Sequence, residues 1–197
     1  LVLQYLRETE QTSPEVELKA LEYINLGYQR LLSYESPGGG FEWFGGDPGH
    51  RILTAYGLLE FTDMSKVSYV DPDVLARTRQ WLLAERESDG RWKAAPEGIH
   101  EGATNNFTDS DVRATAYITY SLLESGATAG DLAPSLSWLR ANLGGVDDPY
   151  SMAVAANALL AADPNDAAGR QLTTRLDAIK QSDDDAGTIW WQTDSSS

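Results

Sequence analysis

Cysteine is the first thing this chain lacks: none occurs in 197 residues, which excludes a disulfide framework, a thiolate metal site and a cysteine nucleophile within them. Positive charge is scarce as well. Fifteen Lys and Arg stand against thirty Asp and Glu, a formal charge of -15, and such a field repels phosphate backbones and anionic lipid headgroups. Neither nucleic acid nor a membrane surface is expected as a partner. Long apolar runs are missing too: Met152 to Ala156 and Ala158 to Ala162 fall far short of the roughly 20 residues that a membrane-spanning helix needs. There is no Gly-rich phosphate cradle, no zinc ligand set and no Ser-His-Asp order, so the residues call for no cofactor and no metal. An initiator Met and a basic leader are also absent. With Leu1-Val2-Leu3-Gln4-Tyr5-Leu6 at one end and Ser195-Ser196-Ser197 at the other, the chain is expected to be a fragment of a longer one.

What is present is helical patterning of two alternating kinds. The 42% apolar content suits a folded chain with one sizeable core, so residues 1–197 are expected to form a single domain. One kind of segment is amphipathic: Leu18, Leu21, Ile24, Tyr28, Leu31 and Leu32 form a stripe, as do Val74, Leu75, Leu82 and Leu83, then Leu136, Leu139 and Leu143, then Leu172, Leu176 and Ile179. The other kind is apolar on nearly all sides, as in Ile52 to Phe61, Val112 to Leu123 and Met152 to Ala162, and helices of that sort are buried. The two kinds alternate, with Gly and Pro between them at Pro37-Gly38-Gly39-Gly40, Asp89-Gly90 and Gly144-Gly145. Leu53-Thr54-Ala55-Tyr56 is echoed by Ala114-Thr115-Ala116-Tyr117, so the repeating unit is an outer helix, a turn and an inner helix. Buried inner helices favour a closed ring over an open stack. The expected fold is all-α, an α/α toroid like that of terpenoid cyclases and prenyltransferases, left incomplete at about four helix pairs. Ser13-Pro14, Asp71-Pro72, Asp148-Pro149 and Asp163-Pro164 each read as an N-cap followed by Pro at the first helical position. Gly187 to Trp191 reads as a short strand.

One loop draws attention on chemical grounds. Asp89-Gly90-Arg91-Trp92 through His100-Glu101-Gly102 precedes an inner helix and carries one of only two histidines. A loop imidazole near neutral pH can act as base, nucleophile or ligand, and it can equally be a solvated side chain; the residues alone leave both open. His50, Asp109-Ser110-Asp111 and Asp183-Asp184-Asp185 read as a structural histidine, a helix cap and a solvated turn. Asn106-Phe107-Thr108 is a glycosylation sequon, meaningful only in a eukaryotic secretory context.

Tyr5-Leu6-Arg7-Glu8-Thr9-Glu10-Gln11, Ala20 to Leu32, Leu53-Thr54-Ala55-Tyr56 and Ala116-Tyr117-Ile118-Thr119 together resemble the segment that follows the thioester in alpha-2-macroglobulin and complement proteins. The matches keep that family's order from Tyr5 to about Leu160. The resemblance implies an α/α toroid of six helix pairs. It also implies a thioester domain whose Gly-Cys-x-Glu-Gln segment is missing from these residues, so this chain alone cannot form the thioester. The loop from Asp89 resembles the one that supplies the transacylating histidine of complement thioester proteins, and His100 occupies the matching place. On that resemblance, His100 is the catalytic group of transacylation, attacking the thioester carbonyl before transfer to a hydroxyl. The implied protein is an endopeptidase inhibitor and not an enzyme. It would be extracellular, at the cell surface or periplasmic, and its partners would be target proteases, cell-surface hydroxyl groups and other macroglobulin domains of the same chain.

Two rival readings use the same toroid. Gln80-Trp81 followed by Asp89-Gly90-Arg91-Trp92 is similar to the Gln-Trp repeat of terpene cyclases, which would make the chain an enzyme of the terpene cyclase, prenyltransferase or glycosidase kind. Alternatively, the toroid only displays a face to a receptor, with no role for His100.

Overall fold

The structure is a computed structural model that describes residues 2–46, 48–94, 110–183 and 186–192. Its described residues are mostly helical, as the periodicity predicts. Eight α-helices run in order: α1 Val2–Glu8, α2 Pro14–Leu32, α3 Arg51–Ser65, α4 Pro72–Ala84, α5 Asp111–Glu124, α6 Ala133–Ala141, α7 Pro149–Ala162 and α8 Ala167–Ile179. A short antiparallel hairpin follows, β1 Gln181–Asp183 against β2 Thr188–Trp190, with Ser182 opposite Ile189. The strand expected around Ile189 is therefore present, and Asp183 belongs to its partner strand instead of a turn. Trp191 Nε1 donates to Leu176 O at 2.8 Å, tying the hairpin back to α8.

The alternation of amphipathic and buried helices is borne out by burial. Helices α3, α5 and α7 bury six, seven and six residues, whereas α2, α4, α6 and α8 bury one, three, three and two. Small side chains make this possible. Ala114, Ala116, Ala155 and Ala158 are fully buried, so neighbouring helices can approach α5 and α7 on more than one side.

Helix starts follow the capping chemistry at three of the four Asp-Pro and Ser-Pro sites. Ser13 accepts from Val16 N, Asp71 from Asp73 N and Asp148 from Ser151 N, each with Pro in the first turn. Asp163-Pro164 is the exception. Asp163 ends α7 in an extended conformation (φ -150°, ψ 111°), and its Oδ1 accepts from Asn165 N at 2.9 Å in a local turn. The next helix begins at Ala167, capped by Asp166.

Contacts divide the chain into two compact units, Leu1–Glu85 and Arg86–Ser197. In the first, Tyr28, Phe41, Phe61, Val70 and Val74 form the core. The Phe61 ring meets Tyr28 edge-on at 5.8 Å and Phe41 at 5.4 Å, both favourable aromatic geometries. The Arg7 guanidinium pairs with Glu17 and reaches Val67 O, joining α1 to α2 and to the turn after α3. Arg77 grips Glu35 with two parallel hydrogen bonds, Nε to Oε1 at 2.5 Å and Nη2 to Oε2 at 2.8 Å. In the second unit, α7 packs against both α5 and α8, and α6 touches α5 and α7. Arg140 and the buried Asp166 make its most enclosed ion pair, at 2.7 Å.

Candidate functional site

The loop singled out by sequence begins beside α5 and ends at its first turn, and the described residues on both sides of it form one hydrogen-bonded base. Glu87 N donates to Arg91 O at 2.8 Å and Gly90 N to Glu87 O at 2.9 Å, which folds 87–91 into a tight turn. Gly90 has φ +99°, and a Cβ there would lie 2.5 Å from the Pro134 carbonyl carbon and oxygen. Both the backbone angle and the space require glycine. The turn delivers Trp92 into the core, where it is fully buried with the Arg86 guanidinium 5.9 Å from its ring centroid.

Thr115, one turn into α5, holds the backbone of that tryptophan. Trp92 N donates to Thr115 Oγ1 at 3.0 Å, and the hydroxyl donates to Trp92 O at 3.2 Å. One buried hydroxyl thus satisfies two backbone groups that burial would otherwise leave unpaired. Asp111 makes the second connection. Its Oδ1 accepts from Ala94 N at 2.7 Å and its Oδ2 from Arg91 Nη1 at 3.0 Å. Ser110 is the N-cap of α5, accepting from Arg113 N at 3.3 Å. Of the Asp109-Ser110-Asp111 cluster, then, Ser110 caps the helix and the Asp111 side chain reaches across to the incoming chain. Arg113 Nε donates to Ser151 Oγ at 2.5 Å, and its Nη2 lies 3.3 Å from Asp148 Oδ2, fixing the start of α5 to the start of α7. Burial pushes the Asp148 carboxyl up, but the Ser151 hydroxyl and N–H and the Arg113 charge outweigh it and hold Asp148 below the usual carboxylate range.

His100 itself lies outside the described residues, with the rest of 95–109, Asn106-Phe107-Thr108 included. Asp184 and Asp185 of the acidic run lie outside them too. His50 is a structural residue: it is the N-cap of α3, and its Nδ1 accepts from Leu53 N at 3.3 Å. Burial first, and then the Arg51 charge, lower its pKa below the ordinary 6.5, which keeps the imidazole neutral as that hydrogen bond demands.

Sequence reading missed the two threonines. Thr54 on α3 does for Phe41 what Thr115 does for Trp92: Phe41 N donates to Thr54 Oγ1 at 2.8 Å, and the hydroxyl lies 3.4 Å from Phe41 O. The signal was present in the recurring Thr-Ala-Tyr at 54–56 and 115–117, whose Thr is polar yet falls on a buried face. The tryptophans that suggest a terpene cyclase repeat have structural work. Trp81 lies against the glycines of the loop before α3, so that a Cβ on Gly40 would come within 2.6 Å of its ring, and Trp92 fills the core of the second unit. No group of His, Asp and Glu suited to hold a metal occurs among the described residues, and among them no helix is long and apolar enough to cross a membrane.

The repeated grip of an inner-helix threonine on the aromatic residue ahead of it, with a long loop inserted once, accompanies a match of the whole chain, residues 1–197, to the A-macroglobulin TED domain. The chain belongs to that family. Ovostatin from Gallus gallus is 35% identical over 127 residues, which cover 64% of this chain. The matched stretch is only 9% of ovostatin's own length, so this chain is similar to one part of a much larger protein. Family membership favours the macroglobulin reading over a toroid enzyme.

Proposed function

We propose that this chain is the thioester-domain part of a secreted macroglobulin-type protease inhibitor, and that His100 is its transacylating residue. The observation that carries the proposal is the family match along all of residues 1–197, with a His-bearing loop inserted between Trp92 and Thr115. The anchored base supports a functional loop. Asp111 accepts a hydrogen bond from Ala94 N, so the loop leaves and re-enters the scaffold within one hydrogen bond, and much of the entropy of ordering it is met by the fold.

On this reading the reactive cysteine and glutamine are supplied from outside these 197 residues. Neutral imidazole attacks the thioester carbonyl, the C–S bond breaks, and an acyl-imidazole and a thiolate form. The thiolate then takes the proton of an incoming hydroxyl, whose oxygen attacks the acyl carbon and releases the imidazole, leaving an ester and a thiol. Splitting the transfer into two steps lowers each barrier. The intact protein turns over once, tethering a protease or a hydroxyl-bearing surface, and works outside the cytoplasm alongside further macroglobulin domains. The closed toroid of helix pairs, of which this chain carries about four, belongs to the same reading.

The test uses the protein extended upstream of Leu1, as wild type and His100→Ala. Methylamine treatment should add one methylamine mass and release one titratable thiol in both proteins, and transfer to glycerol should be lost only in the variant. Unchanged mass and no thiol would overturn the thioester reading; equal glycerol transfer by both proteins would overturn the role of His100.

A further inference from the structure

The first unit contains a cavity that the thioester chemistry leaves unused. It opens between the end of α2, the 41–43 segment and one face of α3, with a volume of about 310 Å³, the small end of the range for ligand cavities. Its floor is apolar, formed by Phe41, Gly57 and Phe61, all buried. Aromatic rings of Tyr34, Trp43 and Tyr56 stand around it, and Tyr56 is 54% exposed at the rim.

Two carboxylates, Glu42 and Glu60, also line it. Neither forms an ion pair among the described residues. Glu42 Oε2 accepts from Phe44 N at 2.7 Å. The nearby Glu60 charge, with a hydrogen bond to Glu60, raises the Tyr56 phenol above its usual pKa. Of the neighbouring bases, Arg30 is engaged through Nε with Tyr34 OH at 3.3 Å. His50 is kept uncharged by its burial. Finally, Trp43 Nε1 is buried with no hydrogen-bond partner. An indole N–H only donates, so it calls for an acceptor.

These features ask for a ligand with three parts: an apolar stem for the floor, a cation for the carboxylates and the aromatic faces, and an acceptor for the indole. We propose that the cavity binds the side chain of a lysine or arginine on a protein segment, with a peptide carbonyl of that segment accepting from Trp43 Nε1. Cation–π attraction to Tyr34, Trp43 and Tyr56 adds to the pull of Glu42 and Glu60, and the alkyl stem covers Phe41 and Phe61. A free alkylammonium satisfies the carboxylates but leaves the indole unpaired, which is why a peptide fits better than a simple amine. The net charge of -15 draws basic segments toward this surface.

The test follows the Trp43 indole N–H resonance of the 15N-labelled chain, assigned with Trp43→Phe. It is titrated with N-acetyl-lysine methylamide, N-acetyl-arginine methylamide, the uncharged N-acetyl-norleucine methylamide and methylammonium. The lysine or the arginine amide should shift that resonance downfield and saturably, and the norleucine amide should bind at least about tenfold more weakly. Glu42→Gln and Glu60→Gln keep an acceptor for Phe44 N and Tyr56 while removing the charge, and each should weaken binding several-fold with the circular dichroism unchanged. Equal binding of the norleucine amide, or undiminished binding by both variants, would show an apolar pocket without cation recognition. A methylammonium shift as large as that of the lysine amide would overturn the peptide carbonyl, and no saturable shift with either basic amide would overturn the site.

Discussion

The segments leading into α3 and α5 solve the same problem with loops of different length. In the first unit Phe41 is held by Thr54 across thirteen residues, and in the second Trp92 is held by Thr115 across twenty-three. Both aromatic side chains are buried, both threonines hold backbone groups, and both helices carry a side-chain cap, His50 in one case and Ser110 in the other. The ten additional residues of the second loop fall in the stretch that holds His100. A fixed anchor at each end makes such an insertion inexpensive, since loop-closure entropy grows only slowly with length. The comparison teaches that the repeat supplies the scaffold and the insertion supplies whatever chemistry the domain has.

The sharpest way to break the comparison is to remove an anchor. Trp92→Ala should destabilise the chain by about 3–5 kcal/mol in urea unfolding, as large-to-small changes at fully buried aromatic sites do. Phe41→Ala should cost a similar amount, and an effect under about 1 kcal/mol at either site would mean that the aromatic is not an anchor. Gly90→Ala comes next. A Cβ 2.5 Å from the Pro134 carbonyl, on a residue at φ +99°, should cost about 1–3 kcal/mol, whereas Ala at Gly144, where nothing lies within 4 Å, should be nearly silent. Thermal melts of the two variants side by side would check this.

Thr115→Val and Thr54→Val test the equivalence most directly. Each leaves the N–H and C=O of a buried residue without their hydroxyl, at about 1–3 kcal/mol per site, and matched losses in chemical denaturation are expected. A loss confined to Thr115 would show that only the long loop needs the grip.

The smallest effect distinguishes the caps. The pKa of His50 is lowered by folding, so its contribution to stability is present above the unfolded value of 6.5 and is lost as pH falls through and below it. Melting temperature should therefore drop between pH 7 and pH 5 in the wild type. In His50→Asn, which keeps a capping acceptor but does not titrate, that part of the drop should vanish. Ser110 carries no such dependence.

How much of this was legible in sequence varied with the range of the interaction. Helix starts at Ser13, Asp71 and Asp148 could be read because a cap bonds within three residues of itself. Asp163-Pro164 misled for a local reason: a residue before proline is driven out of the α region, which ends one helix as readily as it precedes another. Here Asp163 ends α7, and Asp166 opens α8 without a proline. Asp111 looked like a cap because its position fits one, and only the approach of Ala94 and Arg91 shows where its carboxylate goes.

From the sequence by itself came the alternation of amphipathic and buried helices, the exclusion of disulfide and thiolate chemistry, and the family resemblance that the whole-chain match bears out. Each rests on composition or on a period of three to four residues, which local backbone geometry sets. Tertiary structure alone decided that Thr54 and Thr115 hold Phe41 and Trp92, that the imidazole of His50 caps α3, and that Glu42, Glu60 and Trp43 share one cavity. Those arrangements join residues ten or more apart, or turn on which way a side chain points, and they exist only once burial has brought the segments together and left each enclosed polar group to find its partner.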